Sequence, residues 1–116
     1  MPGLSIHAFD VARGVPAAGM RVEVRSESGT PAAFAGVVGP DGHVALDAPW
    51  RGTLPAGRYQ AAFDVGVFYR DAGVALPATP FQAHVVFAFG IDDPAQHYHL
   101  PFKFTPWGFA LFRGGA

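Results

Sequence analysis

Short apolar runs, cut at close intervals by glycine and proline, restrict what this sequence can fold into. Fifteen glycines and eleven prolines are spread through 116 residues. Placed between such runs, they read as turn punctuation in an all-β protein. The clearest strand covers residues 20–25. Met20, Val22 and Val24 alternate there with Arg21, Glu23 and Arg25, giving one apolar and one polar face. Leu4, Ile6 and Ala8 alternate in the same way with Ser5, His7 and Phe9.

Further strands are expected over residues 34–38 and 43–46, joined by the turn Pro40-Asp41-Gly42. Proline sets φ in such a turn and glycine accepts a positive one. Residues 57–63 read as a strand. Residues 81–89 read as another, with Phe81, Ala83, Val85, Phe87 and Phe89 on one face. Tyr98, Leu100, Phe102 and Phe104 then alternate with His97, His99 and Lys103, and residues 107–112 form a last strand. Residues 14–16 and 49–57 are expected as loops. Asp64 is placed to cap one short helix over residues 65–72, stopped by Gly73. About seven or eight short strands with one helix predict a two-sheet β-sandwich, as a single domain over residues 1–116.

Half of the residues are apolar, enough for a real core. The formal net charge is -1 and Lys103 is the one lysine, so the basic patch of a nucleic-acid binder is missing. There is no cysteine, which excludes disulfides, thiolate catalysis and zinc–thiolate sites. No apolar run is long enough for a membrane span. Met1-Pro2-Gly3-Leu4 lacks a charged segment followed by an apolar one, so a cytoplasmic location is expected. Eleven phenylalanines exceed what one small core uses, and a surplus aromatic face favours self-association.

The candidate chemistry lies in five histidines: His7, His43, His84, His97 and His99. Histidine is the ordinary acid/base near neutral pH. His97 and His99 are two apart on a strand and so share a face. They serve either as acid/base or ligand groups, or as a polar face bonded to a neighbouring strand or water. With His7 or His43 as a third ligand, the pair also has the pattern of a metal grip, one common by chance. His84, beside Val85 and Val86, reads as structural. Ser5, Ser26 and Ser28 lie in no nucleophile elbow. Asp41-Gly42 and Asp92-Asp93 read as turns, and no phosphate-binding glycine loop is present.

Two separated stretches carry a resemblance. Leu4-Ser5-Ile6-His7-Ala8-Phe9-Asp10 followed by Gly14-Val15-Pro16-Ala17 resembles the N-terminal signature of the 5-hydroxyisourate hydrolases, the transthyretin-related enzymes of urate degradation. His97-Tyr98-His99-Leu100-Pro101, then Thr105-Pro106-Trp107-Gly108-Phe109, resembles their second signature. Phe112-Arg113-Gly114-Gly115 stands where the family closes with Tyr-Arg-Gly-Ser. The resemblance implies a transthyretin-like sandwich. It implies a homotetramer built as a dimer of dimers, with active sites in the cleft between dimers. It also implies ring-opening hydrolysis of a small-molecule substrate with no metal or organic cofactor. His7 and His99 match the catalytic histidines. Arg113, with Phe112, Gly114 and Gly115, belongs to the segment that lines the cleft, and His97 is taken as a substrate contact.

The chain departs from the family at three polar positions. His43 stands where the family has an arginine, Phe112 where it has tyrosine and Gly115 where it has serine; Ala116 extends the usual end. His43 is therefore a candidate third catalytic group, shorter than arginine and only partly charged at neutral pH. Three functions follow. The first is hydrolysis of 5-hydroxyisourate or a related cyclic amide. The second is acid/base chemistry on a less polar small molecule. The third is non-enzymatic small-molecule binding, as in the related hormone carrier transthyretin.

Overall fold

The computed structural model describes residues 2–115. Eight strands and two helices follow in the order β1 (Gly3–Asp10), β2 (Val15–Pro16), β3 (Arg21–Ser26), β4 (Phe34–Val37), α1 (Ala48–Arg51), β5 (Gly57–Asp64), α2 (Val65–Asp71), β6 (His84–Ile91), β7 (His97–Thr105) and β8 (Gly108–Leu111). They form two four-stranded sheets, ordered β2-β1-β7-β8 and β4-β3-β5-β6. All pairings are antiparallel except β1 with β7. No helix among the described residues is long and apolar enough to cross a membrane.

The period-two alternation gives the core directly. Leu4, Ile6 and Ala8 are buried, as are Met20, Val22 and Val24, while Ser5, His7 and Phe9 are half-buried on the opposite face. Between the sheets Phe63 of β5 stacks on Phe102 of β7 with centroids 4.0 Å apart, and Phe102 stacks on Phe104. Helix α2 begins where expected: the Asp64 carboxylate accepts the Val67 N–H at 3.3 Å. It buries Val65, Phe68 and Tyr69, and the chain turns away at Gly73, φ +78°.

Four segments differ from the sequence expectation. Val15–Pro16, read as part of a loop, forms the short strand β2 against the end of β1. A second helix, the single turn α1, overlaps the start of the stretch read as a loop. Its Trp50 is buried and donates Nε1–H to the Ala32 carbonyl at 3.1 Å. Residues 43–46 form no ladder. His43 and Val44 make isolated bridges instead, His43 to His7 and Val44 to Val38. The sixth strand begins at His84 rather than at residue 81. Gln82 donates to the carbonyls of Thr105 and Gly108 at 2.9 and 3.2 Å, tying this segment to the β7–β8 turn and leaving Phe81 76% exposed.

The start of β1 carries the site, and its end is anchored. Asp10 is fully buried. Its carboxylate accepts the Tyr69 hydroxyl at 2.6 Å and Arg13 Nε–H at 2.6 Å. The Arg13 guanidinium lies over the rings of Phe68 and Tyr69. A buried carboxylate without such partners would be strongly destabilising. Together they clamp the loop after β1 onto α2.

Candidate active site

The parallel register builds the site. Gly3 stands opposite His97, Ser5 opposite His99 and His7 opposite Pro101. Side chains alternate along both strands, so Ser5, His7, His97 and His99 share the face turned from the core. All four are half-buried. The Ser5 hydroxyl lies between the two histidines of β7, 2.8 Å from His97 Nε2 and 2.6 Å from His99 Nδ1. The gap of the His-x-His pair is therefore filled by a hydroxyl.

The end of the described chain lies against His99. The His99 N–H donates to the Gly114 carbonyl at 3.2 Å, and the Gly114 N–H returns to the His99 carbonyl at 2.7 Å. Gly115 has φ +63°, and a Cβ there would stand 3.1 Å from the His99 Cβ. A residue with a side chain would be strained in that conformation and would press on His99. The Gly114-Gly115 pair thus fits the histidine closely.

His43 arrives from a different part of the fold. Its backbone bridges His7, and the two rings lie 4.7 Å apart at 57°. The turn that delivers it depends on Gly42, φ +88°, where a Cβ would fall 2.6 Å from His7 Nε2. His7 Nε2 also meets the Asp41 carbonyl oxygen at 3.2 Å. A carbonyl only accepts, so that nitrogen carries the proton and Nδ1 is left with the lone pair. The Asp41 carboxylate accepts the His43 N–H at 2.9 Å. This bond holds the Asp41 carboxyl below its usual range against desolvation, and the His43 and His7 imidazoles add to it.

His99 is tuned toward the neutral form. Burial holds its imidazole below the ordinary histidine value, and His43, His97 and His7 push the same way against a bond with the Ser5 backbone. A neutral imidazole facing an open shelf can take a proton from water.

The remaining candidates divide. His7, His43, His97, His99, Gly114 and Gly115 come together. Arg113 does not direct its guanidinium to the histidine rings. It donates to Gln96 Oε1 at 2.9 Å and to the His97 carbonyl at 3.3 Å, and lies 4.0 Å from the Tyr98 ring centre. Phe112 is 51% exposed, with the Lys103 ammonium 6.0 Å from its ring. Ala116 lies outside the described residues. His84 stands at the start of β6 with its Nδ1 3.9 Å from Asp64. It borders a concavity of about 460 Å³ on the outer face of the second sheet, lined also by Arg21, Glu23, Gly36 and Asp64. No residue of the histidine cluster lines that concavity.

Sequence reading passed over Ser5 and the Asp41 carbonyl. Ser5 had one signal, its place two residues before His7 on the polar face of the first strand. Its role depends on the β1–β7 register, which alternation alone does not specify. The Asp41 carbonyl had none.

Comparison with known proteins places the family and the fold. Residues 4–114 match the model of the HIUase/Transthyretin family. A Deinococcus radiodurans protein named 5-hydroxyisourate hydrolase is 40% identical over 118 residues, covering 97% of this chain and 96% of that one. The solved Klebsiella pneumoniae 5-hydroxyisourate hydrolase superposes with a TM-score of 0.74 at 33% identity, over 97% of this chain and 98% of that one. A crystal structure of (S)-allantoin synthase superposes with a TM-score of 0.88 at 30% identity. It covers 97% of this chain, which in turn spans only 43% of the synthase chain.

Proposed function

The chain belongs to the HIUase/Transthyretin family, and from that membership and the histidine geometry we propose that it opens the six-membered ring of 5-hydroxyisourate by hydrolysis. The observation that carries the proposal is the meeting of His7 and His99 on one face of two parallel strands, in a chain whose Deinococcus and Klebsiella relatives bear that activity in their names over nearly their full lengths.

In the proposed reaction His99 takes a proton from water as its oxygen bonds to the ring carbonyl carbon. His43, when protonated, steadies the oxyanion in place of the family arginine. The carbonyl–nitrogen bond then breaks, the histidine returns its proton to the departing nitrogen, and the new carboxylic acid gives its remaining proton to solvent to become a carboxylate. His7 borders the reacting water, and His97 stands behind His99 against the Ser5 hydroxyl, on the side of the bound substrate. Arg113, Phe112, Gly114 and Gly115 form the rim, and Arg113 reaches the substrate only by leaving Tyr98. No metal or organic cofactor takes part.

The proposal includes a homotetramer, a place in purine metabolism and a cytoplasmic location. The histidine face is an open shelf, which a second copy laid across it would turn into a cleft. Trp107, Phe109 and Phe112 are at least 49% exposed near the free edge β8, which suits burial against a partner. Sedimentation at micromolar concentration is expected to give four chains; a monomer would leave no shared cleft.

The test generates 5-hydroxyisourate in situ from urate with urate oxidase and follows its ultraviolet decay. Wild type accelerates the decay and His99→Ala does not. Absence of acceleration sinks the proposal. The loss of two hydroxyls at Phe112 and Gly115 would then favour a less polar cyclic substrate or a bound aromatic ligand. Saturable binding without turnover distinguishes the second of these.

A further inference from the structure

The Ser5 hydroxyl has one proton and two histidine nitrogens to satisfy, and the direction of its bonds determines which nitrogen of His99 is basic. On the far side of His97, Nδ1 lies 3.5 Å from the Pro2 carbonyl oxygen. A carbonyl oxygen cannot donate, so in the neutral state His97 Nδ1 carries the proton and Nε2 carries the lone pair. That lone pair, 2.8 Å from Ser5 Oγ, accepts the serine proton. The serine oxygen is left as an acceptor only, and the atom 2.6 Å away is His99 Nδ1. His99 Nδ1 must therefore donate.

We infer that Pro2, His97 and Ser5 form a directed hydrogen-bond relay that fixes His99 as the Nδ1–H tautomer and leaves His99 Nε2 as a bare base. Ser5 and His97 are then positioning residues for the proposed hydrolysis. Neither touches the reacting atoms. The ring nitrogen not engaged in chemistry sets the tautomer through its own partner, and a wrong tautomer disables a histidine base even where its position is unchanged. The relay extends the usual two-member arrangement, in which a carboxylate or carbonyl holds the second nitrogen, by a serine and a second imidazole. It also gives His97 a reason to be two residues before His99. From there its ring spans from Ser5 on one side to the Pro2 carbonyl on the other, beside Gly3, its register partner.

Gly114 and Gly115 leave the ring its place. A Cβ at Gly114 would stand 3.3 Å from His99 Cδ2, and one at Gly115 3.1 Å from His99 Cβ. The neutral form that the relay needs is the form favoured by burial.

The role of His99 as a base rests on the hydrolase reading, whereas the tautomer does not. The experiment separates them. Long-range ¹H–¹⁵N correlation spectra of the ¹⁵N-labelled full chain, recorded at a pH where histidines are neutral, report the protonated nitrogen of each ring. In wild type, His99 is expected as Nδ1–H with Nε2 bare, and His97 as Nδ1–H. Ser5→Ala moves His99 to the Nε2–H form or a mixture, and Ser5→Thr restores Nδ1–H. In the hydroxyisourate assay Ser5→Ala lowers kcat by about 10–100-fold with KM little changed, and Ser5→Thr recovers it. An Nε2–H tautomer of His99 in wild type overturns the relay, as does a tautomer indifferent to Ser5→Ala. If Ser5→Ala fails to fold, the wild-type spectrum still decides. A wild type with the expected tautomer and no acceleration refutes the hydrolase reading and leaves the relay standing.

Discussion

The imidazole rings of His7 and His43 stand 4.7 Å apart, tilted by 57°, on backbone segments joined by a single bridge. One face of the site thus carries two titratable rings where the family resemblance expects one ring and a permanent cation. A guanidinium stays charged across the physiological range, but an imidazole does not.

His43→Arg is therefore expected to raise the rate of hydroxyisourate decay by about tenfold, a part of what one oxyanion donor supplies. A guanidinium keeps its charge throughout the physiological range. Equal rates for the variant and wild type would show that charge at position 43 does not limit the reaction.

The pH profile follows from His99. Its imidazole is held below 6.5, first by burial and then by His43, His97 and His7. The base form is the active one, so kcat/KM should hold as the pH falls past 6.5 and decline only below it. Replacing His43 by alanine removes one of the neighbours that lower His99, so the acid limb should move upward. The same depression has a thermodynamic counterpart. Below 6.5 the unfolded chain takes up this proton before the folded one does, so folding stability declines on acidification through that window.

Gly42 can be tested without replacing a titrating group. Gly42→Ala places a methyl group 2.6 Å from His7 Nε2 at φ +88°. The backbone strain alone costs about 1–2 kcal/mol, and His7 must move. The variant should fold with a lowered midpoint in urea and lose most of its activity. Full activity would show that the position of His7 is not critical.

The clamp on β1 makes a separate prediction about stability. Tyr69→Phe removes the hydroxyl that donates to buried Asp10 at 2.6 Å, and should cost about 1.5–3 kcal/mol, the value of a bond to a charged group. Arg13→Ala should cost less. Its side chain is 38% exposed, and water screens the pair. Urea unfolding of both variants gives the ranking.

Much of this could be read from the chain alone, and the exceptions have physical causes. Alternation placed Leu4, Ile6 and Ala8 in the core and His7 opposite them, because a strand allows no other arrangement. The Asp64 cap and Gly73 stop bounded α2, since both act locally. Trp50 misled the reading: four residues of helix carry no periodicity, and the turn exists to bury one indole. Phe81 continued the alternating pattern past the true start of β6, where Gln82 instead ties the chain to the β7–β8 turn. The site divided in the same way. His7 and His99 were visible as residue types in matching contexts, and His43 as a departure from one. The bond from Ser5 was not, because it depends on which strands become neighbours and in what register.

The parallel pairing of β1 with β7 joins residues far apart in sequence: Ser5 is 92 positions from His97 and 94 from His99. Closing so large a loop costs entropy before any contact offsets it, so the histidine shelf organises late in refolding, after the local hairpins. A cut in the surface segment 74–80 would leave β1 on one fragment and β7 on the other. Turnover would then require reassociation of the two pieces, and the chain would serve as a split reporter whose signal measures fragment complementation.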